Sequence, residues 1–165
     1  MKTPASSNAN NLILIKTLQE LLHGGQAHAT FPDAVKDLPI KLQGVVPEGM
    51  PYSIWQLVEH IRITQWDILE FSYNPQHESP TWPEGYWPAE AIPPNKTAWK
   101  DSIAQIDKDL KAFIALLKAP DSDLYTPFSW GSGQTLLREA MLIADHTSYH
   151  TGEIIVIRRM LGAWK

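Results

Sequence analysis

Apolar residues recur along this chain three and four positions apart, the spacing of one face of an α-helix, in four separate stretches. The first runs from about Asn10 to His23 through Leu12, Ile15, Leu18, Leu21 and Leu22. Gly24-Gly25 ends it, because glycine is favoured just past a helix terminus. The second begins near Ser53, where Ser53 and Gln56 have the S-x-x-Q spacing of a capping box. Ile54, Leu57, Val58, Ile61, Ile68 and Leu69 form its apolar stripe, and Asn74-Pro75 stops it. The third opens near Asn95 or Thr97 and closes before Pro120. Trp99, Ile103, Ile106, Leu110, Phe113, Ile114 and Leu117 make its buried face, and Lys100, Asp101, Asp107, Lys108 and Asp109 its solvated one. The fourth follows Gly131-Ser132-Gly133 and runs to about Leu161. No convincing period-two alternation interrupts this pattern, so no sheet is expected.

Four amphipathic helices predict an all-α fold, a four-helix bundle with long crossover connections, over residues 10–165. Residues 1–9 read as a flexible tail. Two connections exceed the usual loop length: Gly24 to Tyr52, with a short helical turn expected at Pro32–Asp37, and Pro75 to Pro94. The second holds Trp82, Tyr86 and Trp87, which are expected either to line an apolar pocket or to pin the loop by their own burial.

Composition narrows the chemistry. With 165 residues and 44% apolar content the chain can bury a core. It has no cysteine, so any metal must be held by nitrogen and oxygen, and any thiol must come from a second substrate. A net charge of −4 without a basic block argues against a nucleic-acid partner. No stretch approaches the roughly 20 apolar residues of a membrane span, and a cytoplasmic location is expected.

Candidate chemistry centres on Asp145-His146-Thr147-Ser148-Tyr149-His150 in the fourth helix. His146 and His150, four apart, leave one face a turn apart, together with Ile143, Glu153 and Ile157. His60 stands on the second helix, on a face with Gln56, Leu57, Thr64 and Asp67. Three histidines from two packed helices suit a metal ion with open positions. They also suit a hydrogen-bonded core, since a buried unsatisfied polar group costs about 1–3 kcal/mol. Glu153 is placed to be a further ligand or an acceptor that fixes a tautomer. The residue after His146 is Thr147, so the H-E-x-x-H protease motif is absent. His28, in the first long loop, is a candidate to fold over the site, whereas Glu59 and Arg62 read as solvated.

The phrase Asp145-His146-x-x-Tyr149-His150-x-Gly152-Glu153, with Tyr52-Ser53-x-Trp55-Gln56-x-x-Glu59-His60, Gln65-Trp66-Asp67-Ile68 and Gly133-Gln134-Thr135-Leu136-Leu137-Arg138-Glu139-Ala140, resembles the DinB/YfiT-like superfamily of metalloenzymes. The resemblance implies a divalent metal, zinc or nickel, on His60, His146 and His150, and assembly as a homodimer. It implies a small-molecule substrate, with relatives that transfer low-molecular-weight thiols to electrophiles. On that reading the protein is a metal-dependent thiol S-transferase or hydrolase, with Glu153 or Asp67 orienting a ligand or acting as general base. The alternative is a non-catalytic, metal-stabilised bundle that binds a small ligand or partner.

Overall fold

A computed structural model describes residues 4–164. It contains five α-helices and no strand among the described residues: α1 (Pro4–His23), α2 (Phe31–Val35), α3 (Ile54–Tyr73), α4 (Ala98–Leu117) and α5 (Leu136–Met160). The first helix starts at Pro4, earlier than the apolar spacing predicts, and Met1–Thr3 of the expected tail lie outside the described residues. The other three long helices begin and end within a few residues of the predicted points.

Local chemistry accounts for these boundaries. Ser53 caps α3 with both bonds of the capping box, its hydroxyl accepting from Gln56 N and the Gln56 side chain accepting from Ser53 N. Thr30 and Asp33 form a second box at the start of α2, which is why five residues hold a helix there. Thr135 caps α5. Asn95 Oδ1 accepts from the backbone of Thr97 and Ala98 and so starts α4 from outside the helix.

Helix α3 packs on both α4 and α5, while α1 packs chiefly on α5. One apolar cluster joins Leu18, Leu22, Leu69, Phe113, Leu117 and Ala140; a second joins Phe31, Ile54, Leu57, Ile61, Ile106 and Ile157. Two charged residues expected in solvent are buried. Asp109 faces inward with one oxygen bonded by Gln105 and the other unpartnered, and burial raises its pKa. Glu59 receives both a bidentate Arg62 and the Ser102 hydroxyl, so its charge is internally paired rather than hydrated.

Arg158, near the end of α5, is buried and donates to the carbonyls of Ala34, Lys36 and Ala163. It ties the end of α2 and the C-terminal segment to one side chain. Arg158→Ala leaves three carbonyls without this donor, and we expect it to cost about 2–4 kcal/mol of stability. Urea unfolding measures this, and a loss below about 0.5 kcal/mol refutes it.

Candidate metal centre

The second long connection, expected as a loop, is a strap laid along α3. Four polar side chains on that helix hold it. Ser53 Oγ donates to Ala91 O at 2.6 Å, and Gln56 Nε2 donates to Pro88 O at 3.3 Å. His60 Nδ1 donates to Tyr86 O at 2.9 Å. Asp67 accepts from the Tyr86 hydroxyl at 2.6 Å and from His77 Nε2 at 2.7 Å. Positions 53, 56, 60 and 67 repeat at near-helical spacing, so the surplus polarity on this face of α3 serves the strap. The strap in turn crosses the first long connection at Gly44, where an added Cβ would lie 2.9 Å from Ile92 Cα. Only glycine fits that approach.

The strap delivers Trp87 to the site. Its indole stacks on the His60 imidazole at 3.8 Å and 8°, and on Tyr52 at 4.0 Å and 14°. Tyr86 is buried, whereas Trp82 is 70% exposed and touches Tyr86 edge-on. Of the two readings for this aromatic loop, Tyr86 follows the pinning one, and Trp87 is packed by stacking on His60 and Tyr52.

His60, His146 and His150 come together as the spacing predicts. Their ring centroids are 4.5–4.7 Å apart, and one ligand atom from each lies within 4.8 Å of the others. His60 and His150 are buried and His146 partly so. A carbonyl or carboxylate oxygen can only accept, which sets two tautomers. His60 carries its proton on Nδ1 toward Tyr86 O, leaving Nε2 as a lone pair. His150 Nδ1 donates to Glu153 Oε2 at 2.6 Å, leaving its Nε2 free in the same way. His146 Nε2 stands 3.0 Å from His60 Nε2. That atom is a donor to His60 in one tautomer and a third lone pair in the other.

Burial lowers the His60 pKa, with a further push from His150. Burial and the two neighbouring imidazoles take His146 down to about 3. Neutral imidazoles are the form that ligates metal. The donor set therefore fits a divalent cation, with His60, His146 and His150 to hold it and outer bonds orienting two of the rings.

The other predicted site residues fall differently. Glu153 lies against His150 as an orienting acceptor. Asp67 is not gathered with the imidazoles, and each of its oxygens receives a bond from the strap. His28 does not reach the cluster; its Nε2 meets Ser148 Oγ at 3.0 Å, on another face of α5. The Tyr86 carbonyl and the Trp87 stack escaped sequence reasoning, because a backbone oxygen carries no residue signature. The nearest signal was the polar spacing along α3.

Fold and site together define an all-helical protein with a three-imidazole site able to hold a metal ion. The chain belongs to the DinB superfamily, whose family model matches residues 25–154. No curated protein and no solved structure matches it.

The depressed His146 pKa sets a pH signature for the metal-free protein. Above the unfolded value of about 6.5, folded and unfolded states are both neutral at this group and stability is unaffected by it. As pH falls from there toward about 3, the unfolded chain takes up a proton that the folded one resists, so stability declines. His146→Gln is expected to flatten that part of the profile, as read by thermal unfolding of metal-free protein from pH 7 to 4. An unchanged slope refutes it.

Proposed function

We propose that this protein is a divalent-metal enzyme in which His60, His146 and His150 hold zinc or nickel. It would activate a low-molecular-weight thiol or a water for attack on a small electrophilic substrate. The observation that carries this reading is the convergence of three imidazoles with two tautomers set by outer bonds. A bound divalent metal supplies a lowered pKa for a coordinated water or thiol, to about 7 for water in the best-known zinc sites.

The chain's own groups complete the proposal. Glu153 positions His150 and is the nearest candidate to receive a proton. Asp67 acts through the strap, holding Tyr86 so that its carbonyl keeps His60 in the ligating tautomer. The partly exposed edge of Trp87 and the ring of Tyr52 offer apolar surface beside the cluster for the apolar part of an electrophile. No fourth His, Asp or Glu joins the three among the described residues, which favours open coordination positions over a closed, purely structural site. The thiol reading implies the cytoplasm, where thiols stay reduced. No described helix is long and apolar enough to cross a membrane. We read the four long helices as the bundle of this family.

The homodimer also belongs to this proposal. Met141, Tyr149, Gly152, Val156 and Met160 make an exposed stripe along α5, on which Asp145 and Arg159 are also exposed, with Arg138 at its start. A two-fold pairing of α5 helices would cover it. Tyr149→Glu is expected to yield a monomer by sedimentation equilibrium; wild-type protein that is itself monomeric at tens of micromolar refutes the pairing.

The central test is metal content by plasma mass spectrometry, with conjugation of a bimane electrophile to several thiols and ester hydrolysis measured on loaded and stripped protein. We expect about one equivalent of metal, lost in His150→Ala. We also expect metal-dependent turnover, reduced about 10–100-fold by Glu153→Ala, in keeping with losses of outer-shell partners. Absence of metal after reconstitution removes the reading, and metal without turnover leaves the non-catalytic bundle.

A further inference from the structure

A cavity of about 330 Å³ lies apart from the imidazole cluster, enclosed by the end of α1, the segment that follows it, α4 and α5. None of His60, His146 and His150 lines it. On α5 its walls are Ala144, Thr147, Ser148 and Thr151, which centre roughly a third of a turn around the helix from His146 and His150, with Thr147 the nearest at about a sixth of a turn from His150. The remaining walls are mostly apolar, with Leu22, Phe31, Ile103, Ile106 and Leu110 among them.

Three features mark it as built for an occupant. Its volume lies in the range of small-molecule pockets, roughly 300–1,000 Å³. Most polar groups at its edge are already satisfied within the protein. Thr151 donates to Thr147 O, Asp107 pairs with Lys111, and His23 bonds Gln19 O. Among the described residues the Thr147 hydroxyl and Gln65 are exceptions, and Gln65 is the more buried. Gln65 is 97% buried in the cavity wall; its Nε2 donates to Ile106 O at 2.6 Å, and its oxygen receives no bond among the described residues. An amide oxygen left without a donor in a mostly apolar wall is the kind of polar group that orients a ligand.

The mouth is shaped as well. Gly24 and Gly25, at φ of 69° and 85°, turn the chain sharply after α1. The segment they begin lines the cavity and crosses to α5, where His28 Nε2 meets Ser148 Oγ at 3.0 Å. His28 Nδ1 donates to Ala29 O, so Nε2 is the acceptor and the serine hydroxyl the donor. A single side-chain bond thus joins this segment to α5.

We infer that this cavity is a second ligand site, separate from the imidazole cluster, for a small, largely apolar molecule bearing one hydrogen-bond donor directed at Gln65, with the His28–Ser148 bond closing the entrance. It does not depend on the presence of metal.

The probes are 2-naphthol and naphthalene, titrated by fluorescence against the full chain. We expect saturable one-to-one binding of 2-naphthol, weakened at least tenfold by Ile103→Trp, which fills the cavity. Gln65→Leu is expected to weaken 2-naphthol several-fold and leave naphthalene nearly unchanged. Chelator treatment and His150→Ala are expected to leave both affinities intact. If Ile103→Trp fails to fold, Leu110→Phe takes its place, with circular dichroism to check the fold. Absence of saturable 2-naphthol binding overturns the site, as does binding indifferent to the filling variant. Binding lost with chelator or with His150→Ala overturns its separateness and assigns the probe to the imidazole cluster.

Discussion

The hydrogen bond from His60 Nδ1 to the Tyr86 carbonyl is the joint on which this site turns. It fixes which nitrogen of His60 faces its partners, and it docks the strap on α3 in the same contact. Around it, Ser53, Gln56 and Asp67 make the same kind of attachment at other levels of the helix. Three of the strap's carbonyls, those of Tyr86, Pro88 and Ala91, find donors on side chains of α3 and its cap, and turns within the strap satisfy others of its backbone groups. A segment of some twenty residues, regular only in a single 3-10 turn at Glu84–Tyr86, can therefore hold one conformation.

Cost and compensation meet at the three imidazoles. Burying them lowers the affinity of His60 and His146 for protons, so the protein interior avoids adjacent positive charges. What remains is a set of lone pairs on buried and partly buried rings, which one cation can satisfy together. Elsewhere buried charge is met by the protein itself: Glu59 by Arg62 and Ser102, Glu139 by Arg138, Arg158 by three carbonyls. Asp109 is the exception, with one oxygen unpartnered and its pKa raised by burial.

Helix content and the His146–His150 pair were legible in the sequence because both rest on local periodicity. Ser53–Gln56 announced a helix start, and the four-residue step from His146 to His150 announced a shared face. His60 was legible through the polarity around it. What escaped depends on partners distant in the chain. Asp109 looks solvated beside Lys108 and turns inward only because α3 packs over α4. Asp67 shares a face with His60, yet His77 and Tyr86, ten and nineteen residues on, claim its carboxylate. Glu153 was placed correctly near His150, and its bond to Nδ1 favours the orienting role over the ligand role. The short α2 was visible at nearly its observed place, since proline and a capping pair mark it from within.

The Trp87 stack on His60 has an optical consequence. An indole 3.8 Å from an imidazole shares its electronic surroundings. Protonation or coordination of that imidazole draws electron density from the ring and alters the excited state of its neighbour. The emission of Trp87 is thus a native spectroscopic gauge of the state of His60, read without an added dye. Six other tryptophans contribute background, and replacing Trp87 by phenylalanine separates its signal from theirs.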